Sequence, residues 1–578
     1  MSDLIVHGGT ILTLDEAQPQ AEALAVQAGR VHTVGGEAEV MALRGPGTEI
    51  VNLRGRVLCP GFIDAHHHLT LAAWCQLGIN LAECRSVQEI QAQLRAQLMR
   101  KQPGEWLYAY NYRPWNFHDH RRRLSRYDLD AVAGERPVLV MHFSFHEAVV
   151  SSAGLRVAGI DRQTPDPQGG RIQRDRHGSP TGELLETAVG RVEALARTAA
   201  GGTGYEDWLA ALQRYCQQLF AAGITHVCDP GVDALLESYL RRARREERLP
   251  LPVSMLFISG GGLFQEPVDR LSGPLTGEQL DGLQVGALKI FADGGSRCAV
   301  CIGMLEAFAG VVSLVGRAAK LRRPALLAQS SAPERPHLDQ HGRVSLGFLH
   351  YQPEHLAALC REAHGRGFQV AVHAACNAAV EGTLQAYEQL PTRGRWQRHR
   401  VEHLVSLDVR QARRLADVGA IGVVQPMYIS QMGDEWEAMP TPPRLHSVPL
   451  RDLLDAGVAL AGSSDAPIAP YSPLQGMQAA MTRRTSGGLI HQGQQAITAL
   501  EALRLWTTGA ALAANLPGKV GILCPGSRAD MVMLTRNPLE TPPEAWNQVA
   551  VERTFIGGQT VYHRETHTGE NEVNDAHN

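Results

Sequence analysis

Three consecutive histidines follow a short apolar segment near the start of the chain, in the motif FIDAHHH at residues 62–68. Side chains two positions apart in an extended segment lie on the same face, so His66 and His68 point together while His67 points away. Neutral imidazole is a preferred ligand of zinc and related divalent ions, so this pair could form half of a metal site. The alternative is a polar cluster at a strand end that binds no metal.

Further ligand-type side chains come at the ends of three later apolar segments. His373 ends FQVAVH, His403 ends HRVEH, and Asp465 ends GVALAGSSD. If these segments are parallel strands of a barrel, their carboxyl ends lie on one face, which is where barrels build their active sites. We therefore predict that these three residues meet His66 and His68 at one metal site.

Asp465 has the chemistry of a proton acceptor at such a site. A bound divalent ion lowers the pKa of its water to about 7, and a nearby carboxylate can take the remaining proton and return it to the leaving group. The same carboxylate can also bind the metal. The sequence therefore predicts both a catalytic and a metal-binding role for Asp465.

Lys289 interrupts the apolar segment GALKIF, where a buried strand is expected. Lysine is rarely buried without a partner, and burial lowers the pKa of its amine and so increases the neutral fraction. A neutral amine can add carbon dioxide to form a carbamate, whose two oxygens can bridge two metal ions. The alternative is an ion pair between Lys289 and a carboxylate such as Asp293, and the sequence leaves both open.

The segments that must position these side chains predict an α/β fold. Short apolar runs alternate with helical patterns, as in parallel sheets that are covered on both faces. The chain has one run more than the eight strands of a (β/α)8 TIM barrel, so we assign the run at 137–143 to an insertion near 100–200. A helix at 207–222 is predicted to lead into the second barrel strand. A basic, proline-containing segment at 309–345 is predicted to be a second insertion, in the form of a loop.

Both ends of the chain carry short alternating segments with glycine turns, which are typical of antiparallel strands. The pattern of LIVHGGTILTL near the start returns only in VGILCPGSRADMVML and VERTFIGGQTVY near the end. We therefore predict a small composite β-sandwich domain from residues 1–58 and 518–565. The metal-dependent barrel then takes residues 59–517, and residues 566–578 are predicted to be a flexible tail.

The 578-residue composition is that of a globular protein, with 44% apolar and 20% charged residues. No run reaches the ~18 consecutive apolar residues of a membrane span, and the first residues lack the pattern of an export signal. The net charge of −4 argues against a nucleic-acid partner. Ten cysteines in a chain of this length do not form a compact disulfide framework, and we expect a cytoplasmic protein.

Six motifs together resemble those of the amidohydrolase superfamily: PGFIDAHHH, ALKIFADGG, VAVHAACNAAV, HRVEH, GSSDAP and PGSRADMVML. Within the superfamily, the chain is most similar to the branch of YtcJ-like proteins and N-substituted formamide deformylases (amidohydrolase family 3), over nearly its whole length. The resemblance implies one or two divalent ions, with zinc expected, and a carboxylated lysine as a bridge. The metal ligands that it implies are His66, His68, Lys289, His373, His403 and Asp465. It also implies a small-molecule substrate and a homodimer.

The same resemblance indicates a substrate pocket beside the first insertion. A GH element of the family corresponds here to Phe145-His146, and a GxLxE element corresponds to residues 182–186. We therefore expect His146 and Glu186 to line the pocket, together with Arg297 from the loop after the Lys289 strand.

Two departures from the family pattern bear on this pocket. Relatives have a carboxylate where this chain has Asn377, which is expected to alter substrate contacts or the support of the metal ligands. A short Thr-Ala loop after DGG is replaced here by a segment that contains Cys298 and Cys301. This cysteine pair could bind a metal or form a redox couple, but free thiols are the favoured interpretation because a lone CxxC is a weak signal.

The sequence thus predicts a metal-dependent hydrolase that cleaves a non-peptide carbon–nitrogen bond, of the amide type, through water activated by the metal. The alternative enzyme is a mononuclear deaminase or a cyclic-amide hydrolase, in which Lys289 is not carboxylated and His403 orients the water. A non-catalytic scaffold is a third interpretation, which the complete set of ligands disfavours. Substrate specificity is expected to lie in the insertions.

Overall fold

The computed structural model describes residues 2–99, 105–114, 117–118, 123–199, 204–259, 269–295, 297–320, 336–391 and 398–564. The protein is a mixed α/β structure, as the sequence predicts, and its described strands form six sheets. The predicted tail at 566–578 lies outside the described residues.

Two sheets of parallel strands occupy the centre of the sequence and carry the predicted site residues. The first has, in spatial order, the parallel strands Leu283–Val285, Val253–Phe257, Ile224–Val232 and Phe62–Asp64, with Gln279–Leu280 antiparallel at one edge. The second has, in spatial order, the parallel strands Leu288–Phe291, Val370–Cys376, Arg400–Leu407, Ile421–Val424 and Ala459–Gly462, with His446–Ser447 antiparallel to Arg400–Leu407.

Backbone contacts connect these two sheets at both edges. Ile258 bridges Lys289 in parallel register, and the Ser259 amide donates to the Lys289 carbonyl at 2.9 Å. At the other edge, the Ala65 amide donates to the Gly462 carbonyl at 3.3 Å. The carboxyl ends of the first and last parallel strands therefore lie side by side.

The run at 137–143 belongs to a separate sheet. This sheet contains, in spatial order, Gly170–Arg174, Pro180–Glu186, Glu147–Val150, Val138–His142, Leu107–Tyr112 and Ile79–Asn80. Its strands follow the first parallel strand in sequence, and Val138–His142 is buried at every position. A continuous apolar run therefore marks a strand of an inserted sheet as readily as a strand of the central ones.

Helices connect the parallel strands. The described α-helices are Glu37–Met41, Leu69–Cys75, Val87–Leu98, Arg126–Ala133, Ser152–Val157, Thr187–Ala199, Tyr205–Ala221, Ala234–Arg245, Met304–Lys320, Pro353–Gly365, Asn377–Glu388, Val409–Asp417, Met427–Glu437, Leu450–Asp455, Pro473–Thr482, Ala499–Arg504 and Ala510–Ala513. Shorter 3-10 turns lie at Arg270–Ser272, Gly493–Gln495 and Pro543–Gln548, and a π-turn lies at Leu505–Gly509. None of the helices in the described ranges combines the length and the apolar composition that crossing a lipid bilayer requires.

The helix Tyr205–Ala221 corresponds to the predicted helix at 207–222 and leads into the strand Ile224–Val232. Gly223 joins them with a φ of +81°, a left-handed backbone conformation that residues other than glycine adopt only at a cost in free energy. A Cβ atom there would also lie 2.9 Å from the Phe62 ring, so the turn requires glycine for two reasons.

Strands from the two ends of the chain pair with each other. One sheet has, in spatial order, Arg30–Gly35, Ala23–Gln27, Leu4–His7 and Glu49–Asn52, and a second has Gln20–Ala21, Thr10–Leu12, Val57–Pro60, Met531–Leu534, Val551–Ile556 and Gln559–His563. Buried side chains of both sheets, including Val26, Leu58, Met531 and Phe555, form one hydrophobic cluster. The apolar run that begins at Val57 therefore divides between a chain-end sheet and a parallel sheet.

The sequence predicts a loop at 309–345, and this prediction is wrong for the first part of the segment. Residues Met304–Lys320 form an α-helix, and the later strands His337–Leu338 and Val344–Leu346 form a small antiparallel sheet with Val300–Ile302. The exposed side chains of this helix are mostly apolar and its polar residues Glu306 and Arg317 are partly buried in ion pairs, which is the reverse of the pattern that usually marks a surface helix.

We predict that Phe555→Ala destabilises the protein measurably, because the ring is fully buried in the cluster shared by the two chain ends. Phe→Ala changes in such positions cost about 3–5 kcal/mol. The measurement is the melting temperature followed by differential scanning calorimetry. Tyr127→Ala, at a side chain that is 57% exposed, is the control and should melt like the unmodified protein. Equal melting temperatures for both variants would contradict the shared core.

Candidate active site

The loops after the first and last parallel strands bring His66, His68 and Asp465 together. The Asp465 amide donates to the His66 carbonyl at 2.8 Å, and the His68 amide donates to the Ala466 carbonyl at 2.9 Å. His68 Nε2 lies 3.1 Å and His66 Nε2 lies 3.4 Å from the same oxygen, Asp465 Oδ1. The three side chains thus offer ligand atoms that all lie within 4.8 Å of one another.

His67 points away from this group, as the alternation of an extended segment predicts. Its Nδ1 lies 3.0 Å from Asp64 Oδ2, and its Nε2 lies 3.1 Å from the Tyr215 hydroxyl. Asp64 also accepts a hydrogen bond from the Ser464 amide at 3.0 Å. His67 and Asp64 therefore help to hold the two loops together rather than extend the cluster.

A buried carboxylate fixes the proton of His66. His66 Nδ1 lies 2.5 Å from Glu402 Oε2, and an ionised carboxylate only accepts, so Nδ1 carries the proton and Nε2 presents a lone pair toward Asp465. Arg400 donates to both oxygens of Glu402, at 2.8 and 3.0 Å. Burial alone would raise the pKa of Glu402, but the neighbouring Arg400 guanidinium holds that pKa well below its ordinary value.

A series of hydrogen bonds between uncharged groups fixes the proton of His403 on Nδ1, as Glu402 does for His66. His403 Nδ1 lies 3.0 Å from Gln425 Oε1, and Gln425 Nε2 donates to Ser463 Oγ at 2.9 Å. The Ser463 hydroxyl donates to the Val424 carbonyl at 3.0 Å, so it can only accept from Gln425. The amide oxygen of Gln425 therefore faces His403, whose Nδ1 carries the proton and whose Nε2 is left with a lone pair.

His373 and Lys289 complete the group that the sequence predicts. The ring centroids of His373 and His403 are 4.2 Å apart, and those of His403 and His66 are 4.8 Å apart. Lys289 is completely buried, and burial lowers the pKa of its amine to about 8. An appreciable neutral fraction of this amine is therefore present near neutral pH.

The ion pair of Lys289 with Asp293, which the sequence left open, is not formed in the part of the chain that the structure describes. Asp293 instead accepts hydrogen bonds from three backbone amides, those of Ala299, Ala375 and Cys376, at 3.1, 3.0 and 3.2 Å. Burial nevertheless raises the pKa of Asp293 to about 7. Asp293 thus binds the backbone of the loop, and the Lys289 amine has no hydrogen-bond partner among the described residues.

Four buried nitrogens at the centre of this cluster have no hydrogen-bond partner among the described residues: His66 Nε2, Lys289 Nζ, His373 Nε2 and His403 Nε2. Leaving a buried polar group unpaired costs about 1–3 kcal/mol, so a cluster of such groups calls for a partner. The Nε2 lone pair of His66 lies 3.4 Å from Asp465 Oδ1. Imidazole and carboxylate donors are those that zinc and related divalent ions prefer, so these residues fit such an ion.

Backbone strain is concentrated at the same residues. The φ angle is +80° at His403, +49° at Leu404 and +59° at Asp465. All three lie in the left-handed region of backbone conformation, which residues other than glycine rarely adopt. Each such residue costs about 1–3 kcal/mol, which is retained mostly where function or packing requires it. The positions of His403 and Asp465 are therefore imposed by the surrounding structure rather than by local preference.

His146 and Glu186 lie next to this cluster, where the sequence predicts the substrate pocket. The ring centroids of His146 and His373 are 5.5 Å apart, and His146 Nδ1 lies 2.6 Å from Glu186 Oε2. Burial alone would lower the pKa of His146, but the Glu186 carboxylate raises it. The pair is completed by His350, whose Nε2 lies 3.5 Å from Glu186 Oε2 and which sequence reasoning missed.

The glycines of the DGG motif allow this close approach. A Cβ atom on Gly294 would lie 2.4 Å from Glu186 Oε1, and one on Gly295 would lie 2.4 Å from the His146 ring. Side chains at these positions would therefore displace both predicted pocket residues.

Arg297 lies among paired charges beside His146. Its Nε donates to Glu147 Oε1 at 3.1 Å, and its guanidinium lies 4.0 Å from the Glu183 carboxylate. Arg123 lies 3.3 Å from Glu183 as well. The predicted contact of Arg297 with substrate stays a prediction, and the structure adds that its charge is compensated by Glu147.

The prediction of two free thiols at Cys298 and Cys301 is wrong for Cys298, which forms a disulfide with Cys376. Asp293 explains the pairing, because it binds the amides of Ala299 and Cys376 with the same oxygen and so brings Cys298 beside the strand end. Cys301 is a free thiol.

Sequence reasoning also missed the residues that orient the predicted ligands. Arg400 and Glu402 are buried charges two positions apart in one strand, which the alternation rule used for His66 and His68 would have placed on one face. Tyr428, at the start of the helix Met427–Glu437, donates a hydrogen bond to Asp465 Oδ2. No signal in the local sequence relates Tyr428 to Asp465, because their contact is tertiary.

The sequence profile of the amidohydrolase family matches residues 49–562. The chain belongs to this family. Relatives of this amidohydrolase include the N-substituted formamide deformylase of Arthrobacter pascens, which is 28% identical over 98% of this chain and 99% of the relative. The YtcJ amidohydrolase of Bacillus subtilis (strain 168) is 29% identical over 97% of this chain and 99% of the relative. The resemblance that the sequence motifs indicate is therefore confirmed.

A solved structure shares the fold of this amidohydrolase. An uncharacterized metal-dependent hydrolase from Pyrococcus horikoshii OT3 is 22% identical and superimposes with a TM-score of 0.67, over 94% of this chain and 99% of that chain. Family membership makes the protein a hydrolase of carbon–nitrogen bonds other than peptide bonds, as the sequence predicts.

We predict that Glu402→Gln weakens metal binding and activity of the amidohydrolase. A glutamine side chain is uncharged and can donate as well as accept, so it no longer holds the proton of His66 on Nδ1. Changes to the hydrogen-bond partners of ligating histidines cost about 10–100-fold in metal affinity or activity. The measurements are metal content after dialysis and kcat/KM, with a circular dichroism spectrum to verify folding.

Glu362→Gln is the matched control, since Glu362 on the helix Pro353–Gly365 is half-exposed and forms a surface ion pair with Arg366. A folded Glu402→Gln protein with the metal content and kcat/KM of the control would contradict the role of Glu402.

Proposed function

We propose that this amidohydrolase is metal-dependent, holds one or two divalent ions, with zinc as the expected ion, and hydrolyses an amide-type bond of a small molecule. The observation that carries the proposal is the convergence of buried lone pairs with the Asp465 carboxylate at the ends of the parallel strands. The proposed ligands are His66, His68, Lys289, His373, His403 and Asp465.

We infer that the parallel strands form one (β/α)8 barrel with this site at its carboxyl face. Eight of the nine parallel strands supply the required number, and they begin at Phe62, Ile224, Val253, Leu288, Val370, Arg400, Ile421 and Ala459. The ninth, Leu283–Val285, is separated from Leu288 by only two residues. The contacts of Ile258 with Lys289 and of Ala65 with Gly462 support closure at both edges. We propose likewise that the two chain-end sheets form a composite β-sandwich, which their shared core supports.

A bound divalent ion would polarise the substrate carbonyl and make water nucleophilic near neutral pH. The chain supplies the proton transfer. Burial alone would raise the pKa of Asp465, but the hydrogen bond from His68 and the nearby imidazoles hold that pKa well below its ordinary value, so the carboxylate is ionised. Asp465 can therefore accept a proton from the attacking water and return it to the leaving nitrogen.

Tyr428 keeps the Asp465 carboxylate in one orientation during this transfer. Its hydroxyl donates to Oδ2, which leaves Oδ1 facing His66 and His68. Burial raises the pKa of Tyr428 well above its ordinary value, so the hydroxyl stays protonated and remains a donor. Tyr428 thus acts as a positioning residue for Asp465.

The polar groups beside the cluster support the proposed substrate class. His146 and Glu186 offer a donor and an acceptor to a bound acyl–nitrogen group, and Arg297 lies beyond them. The name of the Arthrobacter relative supports an N-formyl or N-acyl compound. A panel of N-formyl, N-acyl, carbamate and cyclic amide compounds is the direct test, and hydrolysis confined to cyclic amides would favour the alternative enzyme.

We predict that the purified protein loses its hydrolytic activity on dialysis against a chelator and regains it with zinc, because the unpaired donors of the cluster bind the ion. The measurements are activity and metal content by mass spectrometry, together with the melting temperature with and without zinc. Two ions per chain would favour a carboxylated Lys289 bridge, and one ion would favour the mononuclear alternative. Full activity in the metal-free protein would contradict the proposal.

We predict that Asp465→Asn lowers kcat by about 10²–10⁴-fold, the usual contribution of a general base, because an amide cannot accept the proton of the attacking water. Metal content is measured in parallel, since Asp465 is also a proposed ligand. Asp455→Asn is the control, because Asp455 is an exposed residue that pairs with Arg451 at the surface. An Asp465→Asn protein with unchanged kcat would exclude Asp465 as the base.

A further inference from the structure

A disulfide joins the loop that follows the Lys289 strand to the end of the strand that carries His373. Cys298 lies in the loop, and Cys376 is the last residue of the strand Val370–Cys376, three positions after His373. All ten cysteines lie within the described residues, and the other eight are free thiols. The disulfide therefore connects two elements that each carry a proposed metal ligand.

The same loop packs against both predicted pocket residues. The backbone of Gly294 lies against Glu186 Oε1, and a Cβ atom there would be only 2.4 Å from that oxygen. The backbone of Gly295 lies equally close to the His146 ring. A displacement of the loop at Cys298 would therefore reach the groups beside the proposed metal site.

One carboxylate connects the disulfide to His373. Asp293 Oδ2 accepts hydrogen bonds from the amides of Ala299 and Cys376, and Asp293 Oδ1 lies 3.5 Å from His373 Nε2. These hydrogen bonds hold the loop to the strand end without the disulfide, so we expect its loss to shift the loop rather than unfold it. Reduction replaces a covalent bond by a non-bonded contact between two sulfur atoms, which requires more space.

We propose that the Cys298–Cys376 disulfide is a redox switch, and that its reduction by a dithiol lowers the activity of the site. The proposal rests on the proposed function for its activity readout. In the cytoplasm, which the sequence predicts for this protein, disulfides are usually transient, catalytic or redox-sensing. Because Asp293 contacts a proposed metal ligand, a shift of its hydrogen bonds should cost about 10–100-fold in kcat/KM.

The two sulfur atoms differ in their access to a reductant. Cys298 is half-buried, whereas Cys376 is only 3% exposed. A thiolate of the dithiol attacks Cys298 Sγ, the S–S bond breaks, and Cys376 leaves as a thiolate that takes up the proton lost by the attacking thiol. The second thiol of the reagent then attacks the mixed disulfide and releases Cys298 as a thiol. The two electrons come from the dithiol, which becomes a disulfide.

Thiol counting tests the bond itself. The folded protein is treated with oxidised or reduced dithiothreitol, freed of the reagent, unfolded and labelled with iodoacetamide. Mass spectrometry should show eight labelled cysteines in the oxidised protein and all ten in the reduced protein. Ten labelled cysteines in both samples would overturn the proposal.

Activity measurements with two variants test the switch. Reduction should lower kcat/KM of the unmodified enzyme by about 10–100-fold, and reoxidation should restore it. Cys298→Ser should have the low kcat/KM in both conditions. Cys301→Ser is the matched control, because Cys301 is also half-buried but is a free thiol, and it should respond like the unmodified enzyme.

Two results of these measurements would overturn the proposal. One is a reduced protein with ten thiols and an unchanged or higher kcat/KM. The other is a Cys298→Ser enzyme that dithiothreitol still inactivates, since the reagent then acts elsewhere, for example by removing metal. Metal content is therefore measured in every sample.

Hydrogen exchange separates the switch from the proposed function, because it needs no substrate. On reduction, the amides in segments 297–301 and 374–378, which include those that Asp293 binds, should lose protection. This loss in a protein that hydrolyses no compound of the panel would support the switch and contradict the proposed function. Equal protection in the oxidised and reduced proteins would overturn the switch.

Discussion

The candidate site depends on a buried ion pair. Arg400 and Glu402 are almost completely excluded from water, and the effective penalty for burying an unpaired charge is several kcal/mol. Their two hydrogen bonds offset this penalty, and the ionised Glu402 in turn determines that His66 carries its proton on Nδ1. The lone pair of His66 faces Asp465 for this reason. Replacement of either Arg400 or Glu402 by an uncharged residue would leave the other as an uncompensated buried charge next to His66.

The strand that carries this pair also breaks the alternation of a regular strand. Glu402 and His403 are consecutive, so a regular strand would point them to opposite faces. The left-handed conformations of His403 and Leu404 coincide with a register shift, in which the four residues from His403 to Ser406 oppose the three from Ala374 to Cys376. This bulge lets Glu402 support His66 from below while His403 reaches the same cluster. The strained backbone is therefore part of how the site is assembled.

The sequence was sufficient for features that depend on local periodicity. Alternation predicted that His66 and His68 point together, and apolar runs predicted the strands that carry His373 and His403 and the strand that precedes Asp465. Three other features depend on contacts between distant residues and could not be predicted in this way. The bulge at His403 contains no glycine to mark it, the Tyr428 contact with Asp465 joins two separate elements, and the helix Met304–Lys320 exposes mostly apolar side chains and pairs Glu306 and Arg317 with distant residues.

The loop after Lys289 shows why a departure from the family pattern can stabilise rather than weaken a site. The Cys301 amide donates to Asn377 Oδ1 at 3.2 Å, and Asn377 Nδ2 donates to the Cys301 carbonyl at 2.7 Å. An ionised carboxylate at this position could accept the first bond but could not donate the second. Asn377 therefore suits this chain's own loop, which the Cys298–Cys376 disulfide holds to the same strand end. Since the helix Met304–Lys320 begins three residues after Cys301, the hydrogen bonds between Cys301 and Asn377 also fix where that helix starts.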